Sequence, residues 1–128
     1  MKTGSCLCGS VAFSFPDGPE KVTACHCSQC RKTSGHVWAA FHVPLADLTF
    51  SRDGGLSWFE SSDWAKRGFC NTCGSSLFYQ MKGEATINIA AGAVDEPTGL
   101  TLTRHIFVAD KGDYYSIGAD GADQIEKY

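Results

Sequence analysis

The chain has no long apolar run. Nothing in it approaches the ~18–20 consecutive apolar residues that span a bilayer, so no transmembrane anchor is expected. It also lacks a block of like charge or a basic tail: 11 lysines and arginines face 14 aspartates and glutamates, for a net charge of −3. Nucleic-acid binding driven by phosphate neutralisation needs clustered cations, as does attraction to an anionic membrane surface. Neither partner is expected. Met1-Lys2-Thr3-Gly4-Ser5-Cys6 carries no apolar segment of the secretory-leader kind. The expectation is a soluble protein of the reducing cytoplasm, where cysteines stay free of structural disulfides. An even cysteine count is missing too. There are 7, so they cannot all pair within one chain.

Helical periodicity is scarce: no window repeats apolar residues at 3.6 spacing for three turns. One helical turn is expected near Ser28 to Thr33, after a cysteine triplet, and another at Pro44 to Leu48, with Pro44 in the first position. Strand patterns dominate. Val11, Phe13 and Phe15 alternate with small or polar residues before the turn Pro16-Asp17-Gly18-Pro19. Further β-prone runs are Val37 to Val43, Leu48 to Phe50, Leu56 to Phe59, Leu77 to Tyr79, Ile87 to Ile89 and His105 to Val108. Glycine and proline punctuate them, which predicts a mainly β fold of short strands. At 128 residues the chain is expected to be one domain, residues 1–128. A domain of this size gains from a cross-link such as a structural metal. The polar tail, Gly118 to Tyr128, is expected to pack along the surface or fray.

What is present is cysteine in clusters: Cys6 and Cys8, then Cys25, Cys27 and Cys30, then Cys70 and Cys73. Zinc favours thiolates, four of them in a closed structural site. Cys70-x-x-Cys73 followed by Gly74 is a knuckle-type loop. Cys6-x-Cys8 puts both sulfurs on one face of an extended segment. Two such arms can close a tetrahedral site that joins the N-terminus to the middle of the chain. The triplet Cys25-His26-Cys27-Ser28-Gln29-Cys30 leaves one position of a tetrahedron open, as catalytic metal sites do. Arg31 and Lys32 would add positive potential there, lowering thiolate pKa and favouring an anionic ligand. The rival possibility is a second structural zinc with His26, His36 or His105 as fourth ligand. His26 lies between two ligands, and its ring is expected to point away. A redox CxxC normally sits in a βαβ context, which is absent.

Other candidates carry less. His105 either lines a pocket or bonds a backbone carbonyl. Trp38, Phe41, Trp58, Phe59 and Trp64 are expected in the core or in pocket walls. Lys66-Arg67 reads as a solvated surface turn, with contact to an anionic substrate as the alternative. Asp110, Asp113, Asp120 and Asp123 lack calcium-loop spacing. Thr33 and Ser34 have no visible triad partner.

Gly4-Ser5-Cys6-Leu7-Cys8-Gly9-Ser10-Val11 resembles the opening of the glutathione-dependent formaldehyde-activating enzyme family, which includes the centromere protein V domain. Cys25-His26-Cys27-Ser28-Gln29-Cys30-Arg31-Lys32 with Ser34-Gly35 resembles its central motif. Phe69-Cys70-Asn71-Thr72-Cys73-Gly74-Ser75 resembles its third, and Arg104-His105-Ile106-Phe107-Val108 its C-terminal strand. The resemblance implies a tent-like arrangement of short antiparallel sheets around a structural zinc, held by Cys6, Cys8, Cys70 and Cys73. It implies a second, exchangeable zinc on Cys25, Cys27 and Cys30. It also implies a carbon–sulfur lyase reaction that interconverts glutathione plus formaldehyde with S-(hydroxymethyl)glutathione. Arg31, Lys32 and His105 are the expected contacts to a small thiol substrate such as glutathione. The alternatives are a non-catalytic zinc-bearing binding module and a thiol or formaldehyde sensor. Oligomeric state stays open between monomer and homodimer.

Overall fold

The computed structural model describes all residues from Met1 to Tyr128. Its strands are β1 (Lys2–Ser5), β2 (Ala12–Phe15), β3 (Lys21–Cys25), β4 (Trp38–Pro44), β5 (Thr49–Arg52), β6 (Leu56–Glu60), β7 (Ala65–Cys70), β8 (Ser76–Met81), β9 (Thr86–Ala90), β10 (Thr101–Ile106) and β11 (Asp123–Gln124). The single α-helix, α1 (Ser28–Ser34), follows the triplet loop. Three short 3-10 turns complete the regular structure.

The strands form two sheets. One has the order β1-β2-β5, the other β11-β10-β3-β4-β9-β8-β7-β6. Most pairs are antiparallel, but β10 runs parallel to both β3 and β11. That parallel insertion carries His105 beside Ala24 and Ile106 beside Cys25. The alternating apolar residues of β2 and β9 supply the main core. Phe13, Phe15, Phe41, Leu77, Phe78, Ile87 and Ile89 are buried together, and Cys6 and Cys70 belong to the same cluster. A smaller cluster joins Cys30, Trp38, Ala40 and Ala90, with Cys25, Cys27 and Tyr79 packed against it. The two sets of cysteines therefore sit on different parts of the interior.

Several expectations change. The run His105 to Val108 is not one strand: β10 ends at Ile106, Phe107 takes a left-handed φ of 55°, and Val108–Asp110 is a 3-10 turn. Pro44 closes β4, and the turn after it covers only Leu45–Asp47. Trp38 and Phe41 are buried as expected, but Phe59 and Trp64 are each 61% exposed and Trp58 is half-exposed. Trp58 and Phe59 lie on β6, the edge strand of the larger sheet, and Trp64 lies in the turn between β6 and β7. The tail packs rather than frays: β11 pairs with β10, Lys127 Nζ binds Asp110, and Arg104 donates to the Tyr128 hydroxyl.

Candidate metal centres

The Cys6–Cys8 arm leaves β1 and turns back toward β2. The Cys70–Cys73 knuckle turns from β7 toward β8. The four sulfurs all lie within 4.8 Å of one another. Sulfurs at ~2.3 Å from a tetrahedral zinc stand ~3.8 Å apart, and the Cys6–Cys8 and Cys8–Cys70 separations are 3.7 Å. Backbone amides already point at the sulfurs. Val11 N–H donates to Cys6 Sγ at 3.3 Å, and Thr72 and Cys73 N–H both donate to Cys70 Sγ at 3.4 Å. Gly74, with φ +82°, permits the turn that aims them. The Ser75 hydroxyl and nearby amides hold Cys73 at about 5, while burial pushes Cys6 upward. This is a donor set that fits a thiophilic ion.

The triplet is built differently. Cys25 ends β3, Cys27 caps α1, and Cys30 lies in its first turn. Cys30 N–H donates to Cys27 Sγ at 3.4 Å, a cysteine doing the work of an N-cap serine. The three sulfurs are within 4.8 Å of one another, and no histidine or carboxylate joins them. Contacts with Cys25 and then Cys30 hold Cys27 down to about 2, while the contacts with Cys27 and Cys30 push Cys25 up. For Cys30, the downward pull of Cys25 is outweighed by Cys27 and burial, with Arg67 opposing the rise. The set can hold a metal with one position left over.

All three candidate imidazoles are engaged elsewhere. His26 Nδ1 meets the Tyr115 hydroxyl at 2.7 Å, and its Nε2 meets His105 Nδ1 at 2.9 Å. His105 Nε2 lies 2.8 Å from Asp120 Oδ2. A carboxylate only accepts, so with both rings neutral the protons are fixed. His105 Nε2–H donates to Asp120, His26 Nε2–H donates to His105, and Tyr115 O–H donates to His26. Burial first, and then the proximity of His105, His36 and Lys111, lowers the pKa of His26, which favours its neutral form. His36 Nδ1 pairs with the Tyr114 hydroxyl at 2.6 Å. The expectation that the His26 ring turns away is met. His105 bonds two side chains rather than a backbone carbonyl.

Lys66-Arg67 is not a surface turn. Both residues lie in β7, and Arg67 is only 6% exposed. The next residue, Gly68, faces the opposite side of the strand, where a Cβ would stand 3.0 Å from both Phe78 and Trp58. Arg67 Nη2 donates to Cys30 Sγ at 3.3 Å and Nε donates to Gln29 Oε1 at 2.8 Å. Arg31 and Lys32 occupy the last turn of α1 and make no hydrogen bond to a triplet sulfur. Gln29 and Tyr115 are not among the sequence candidates, Asp120 enters only among the aspartates without calcium-loop spacing, and Arg67 enters only as the alternative contact to an anionic substrate. Only the position of Arg67, between Ala65 and Gly68 in a stretch ending on Cys70, hinted at an inward arginine. On the flank of this region a groove of about 810 Å³ runs from Cys6 to Trp38, with Thr33, Ser34 and Asp95 on its walls.

The fold and the two thiolate clusters define a cysteine-rich β domain with one closed and one open metal-type site. The family model described as "Glutathione-dependent formaldehyde-activating enzyme" matches residues 1–110, and the chain belongs to that family. It is 26% identical over 113 residues to an uncharacterized lyase of Schizosaccharomyces pombe, covering 88% of this chain and 82% of the relative. A crystal structure of a Rhodobacter sphaeroides protein shares the fold with a TM-score of 0.59 at 24% identity, over 73% of this chain and 88% of that one. No helix is long and apolar enough to cross a membrane.

Proposed function

We propose that this chain is a zinc-dependent carbon–sulfur lyase, working as one domain over residues 1–128 on a thiol adduct in the reducing cytoplasm. Its substrate class is S-(hydroxymethyl)glutathione, made from or returned to glutathione and formaldehyde. One observation carries the proposal: three sulfurs converge beside a buried guanidinium, and no fourth ligand comes from the chain. Family membership and the lyase name of the Schizosaccharomyces pombe relative support the reaction class.

Cys6, Cys8, Cys70 and Cys73 would hold the structural ion, and Cys25, Cys27 and Cys30 the second one. When bound there, zinc supplies Lewis acidity and favours the thiolate form of a sulfur ligand. In the synthetic direction the substrate sulfur forms the new S–C bond, the carbonyl π pair moves to oxygen, and oxygen takes the proton the thiol gives up. Breakdown reverses each change. The chain's own contribution is placement. α1 and β3 fix the three sulfurs, and the His26–His105–Asp120 chain fixes the loop between them. Arg31 and Lys32 add positive potential at the far end of α1, and His105 supports the site from behind.

The test is zinc-replete protein incubated with formaldehyde and a panel of thiols, following S-hydroxymethyl adduct by NMR exchange. Thiol-selective acceleration is the expected result. No acceleration with any thiol, unchanged by Cys27→Ser, overturns the proposal.

A further inference from the structure

Arg67 is a buried cation with no carboxylate partner. Its guanidinium carbon lies 4.9 Å from the Tyr79 ring centroid and 5.4 Å from that of Trp38. Its polar contacts are the neutral amide oxygen of Gln29 and the sulfur of Cys30. Nη1 is buried without any hydrogen-bond partner. Arginine stays charged in proteins, and an unpaired buried charge is strongly unfavourable. Aromatic faces offset part of that cost. The anion within reach is the triplet itself. The indole N–H of Trp38 is also buried and unpartnered.

We infer that Arg67 is the fixed counter-cation of the triplet, and that it selects an anionic rather than a neutral molecule as the fourth ligand of a metal held there. The inference rests on the open-metal reading above. Three thiolates and a divalent ion leave one negative charge in excess, and Arg67 cancels it. An incoming thiolate then meets a neutral site. Without Arg67 it would meet a like charge at close range, in a region where solvent screens poorly. A neutral ligand such as imidazole feels little of this difference. Arg67 is therefore a positioning residue for charge, acting through Cys30, and it sets ligand class rather than chemistry.

The experiment loads the full chain with cobalt(II) and follows the sulfur-to-metal and d–d bands while adding 2-mercaptoethanol or, separately, imidazole. An opposite charge at this range shifts charge-state equilibria by ~1–3 log units. Arg67→Gln should therefore weaken 2-mercaptoethanol binding at least tenfold and leave imidazole within about twofold. Gln29→Glu keeps the arginine in place and gives it a carboxylate partner at the Nε position. It should weaken the thiol in the same selective way, and it answers the question if Arg67→Gln misfolds. Arg67→Lys should recover most of the thiol affinity. Equal weakening of both ligands, or no weakening of the thiol, overturns the role of Arg67 while leaving the open metal site standing. Uptake of a single cobalt per chain, with no response to either ligand, overturns the open-metal reading and the inference with it.

Discussion

The four-cysteine cluster and the triplet each bring sulfurs within 4.8 Å of one another, but their supports differ. Around the first, backbone amides of Val11, Thr72 and Cys73 serve the sulfurs, and Cys6 and Cys70 are part of the main core. Around the second, one local amide, Cys30 N–H, serves Cys27 Sγ, and long-range side chains are added to it: Arg67 from β7 and His105 from β10, through His26. Amide support is local and comes with the loop. Side-chain support depends on distant strands being in register. A closed site can be self-contained, whereas a site that must leave a position open needs outside groups to hold its ligands apart and balance their charge.

The sharpest way to break this comparison is to remove one sulfur from each cluster. Cys70→Ser acts on a fully buried cysteine. Structural zinc supplies on the order of 10 kcal/mol in small domains, comparable to the ~5–15 kcal/mol total stability of a folded domain. The variant should show no cooperative thermal transition by circular dichroism; a native-like melt would sink the idea of a staple. Cys27→Ser keeps an N-cap of the preferred type, so α1 should survive. It should lose one of two bound metal ions by elemental analysis, reduce thiol-dependent adduct turnover to background, and shift the melting temperature by only a few degrees. If it unfolds like Cys70→Ser, the two clusters do not divide the labour as described.

The grouping of the sulfurs was legible in part from cysteine spacing, because cysteines two or three residues apart must share a loop whatever the fold. Strands such as β2 and β9 were legible from apolar alternation. β3 and β7 were not. Lys21-Val22-Thr23-Ala24-Cys25 has few large apolar residues, since β3 is flanked on both sides by strands and buries small side chains against them. Ala65–Cys70 places Arg67 inward and Gly68 against Phe78 and Trp58. An inward arginine reads as a polar turn until its partner, Cys30, is known. The partnership between His105 and His26 spans 79 positions and depends on β10 inserting parallel to β3. Local pattern carries no trace of such a pairing.

A smaller perturbation separates the two kinds of support without touching a sulfur. His105→Leu removes the acceptor of His26 Nε2–H and leaves that donor buried, which costs ~1–3 kcal/mol. In a domain of this length that corresponds to a fall of roughly 3–15 °C in melting temperature. The triplet ion should also be stripped faster by a chelator, while the four-cysteine ion leaves at its wild-type rate. Faster loss of both ions would show that His105 supports the whole fold rather than the triplet.

The smallest expected effect lies at the outer end of the same chain of contacts. The His105 hydrogen bond, with help from the Ala122 amide, lowers the pKa of Asp120 below its ordinary 3.8. The unfolded chain therefore binds this proton more readily than the folded one, so stability must fall as pH drops. The contribution is complete above the ordinary carboxylate range and fades as pH falls through the lower folded value. Asp120 is 43% exposed, so the loss should be local. It should appear in the tail that β11 docks, where Ile125 N–H donates to the His105 carbonyl and Val108 N–H donates to that of Ile125. Hydrogen exchange at these two amides, corrected for intrinsic rates, should show protection declining below about pH 4 in the wild type. Asp120→Asn should be less protected at neutral pH, and the gap between the two proteins should close on acidification. A gap that stays constant from neutral pH to pH 3 would mean that the carboxylate charge does not hold the tail, and that strand pairing alone does.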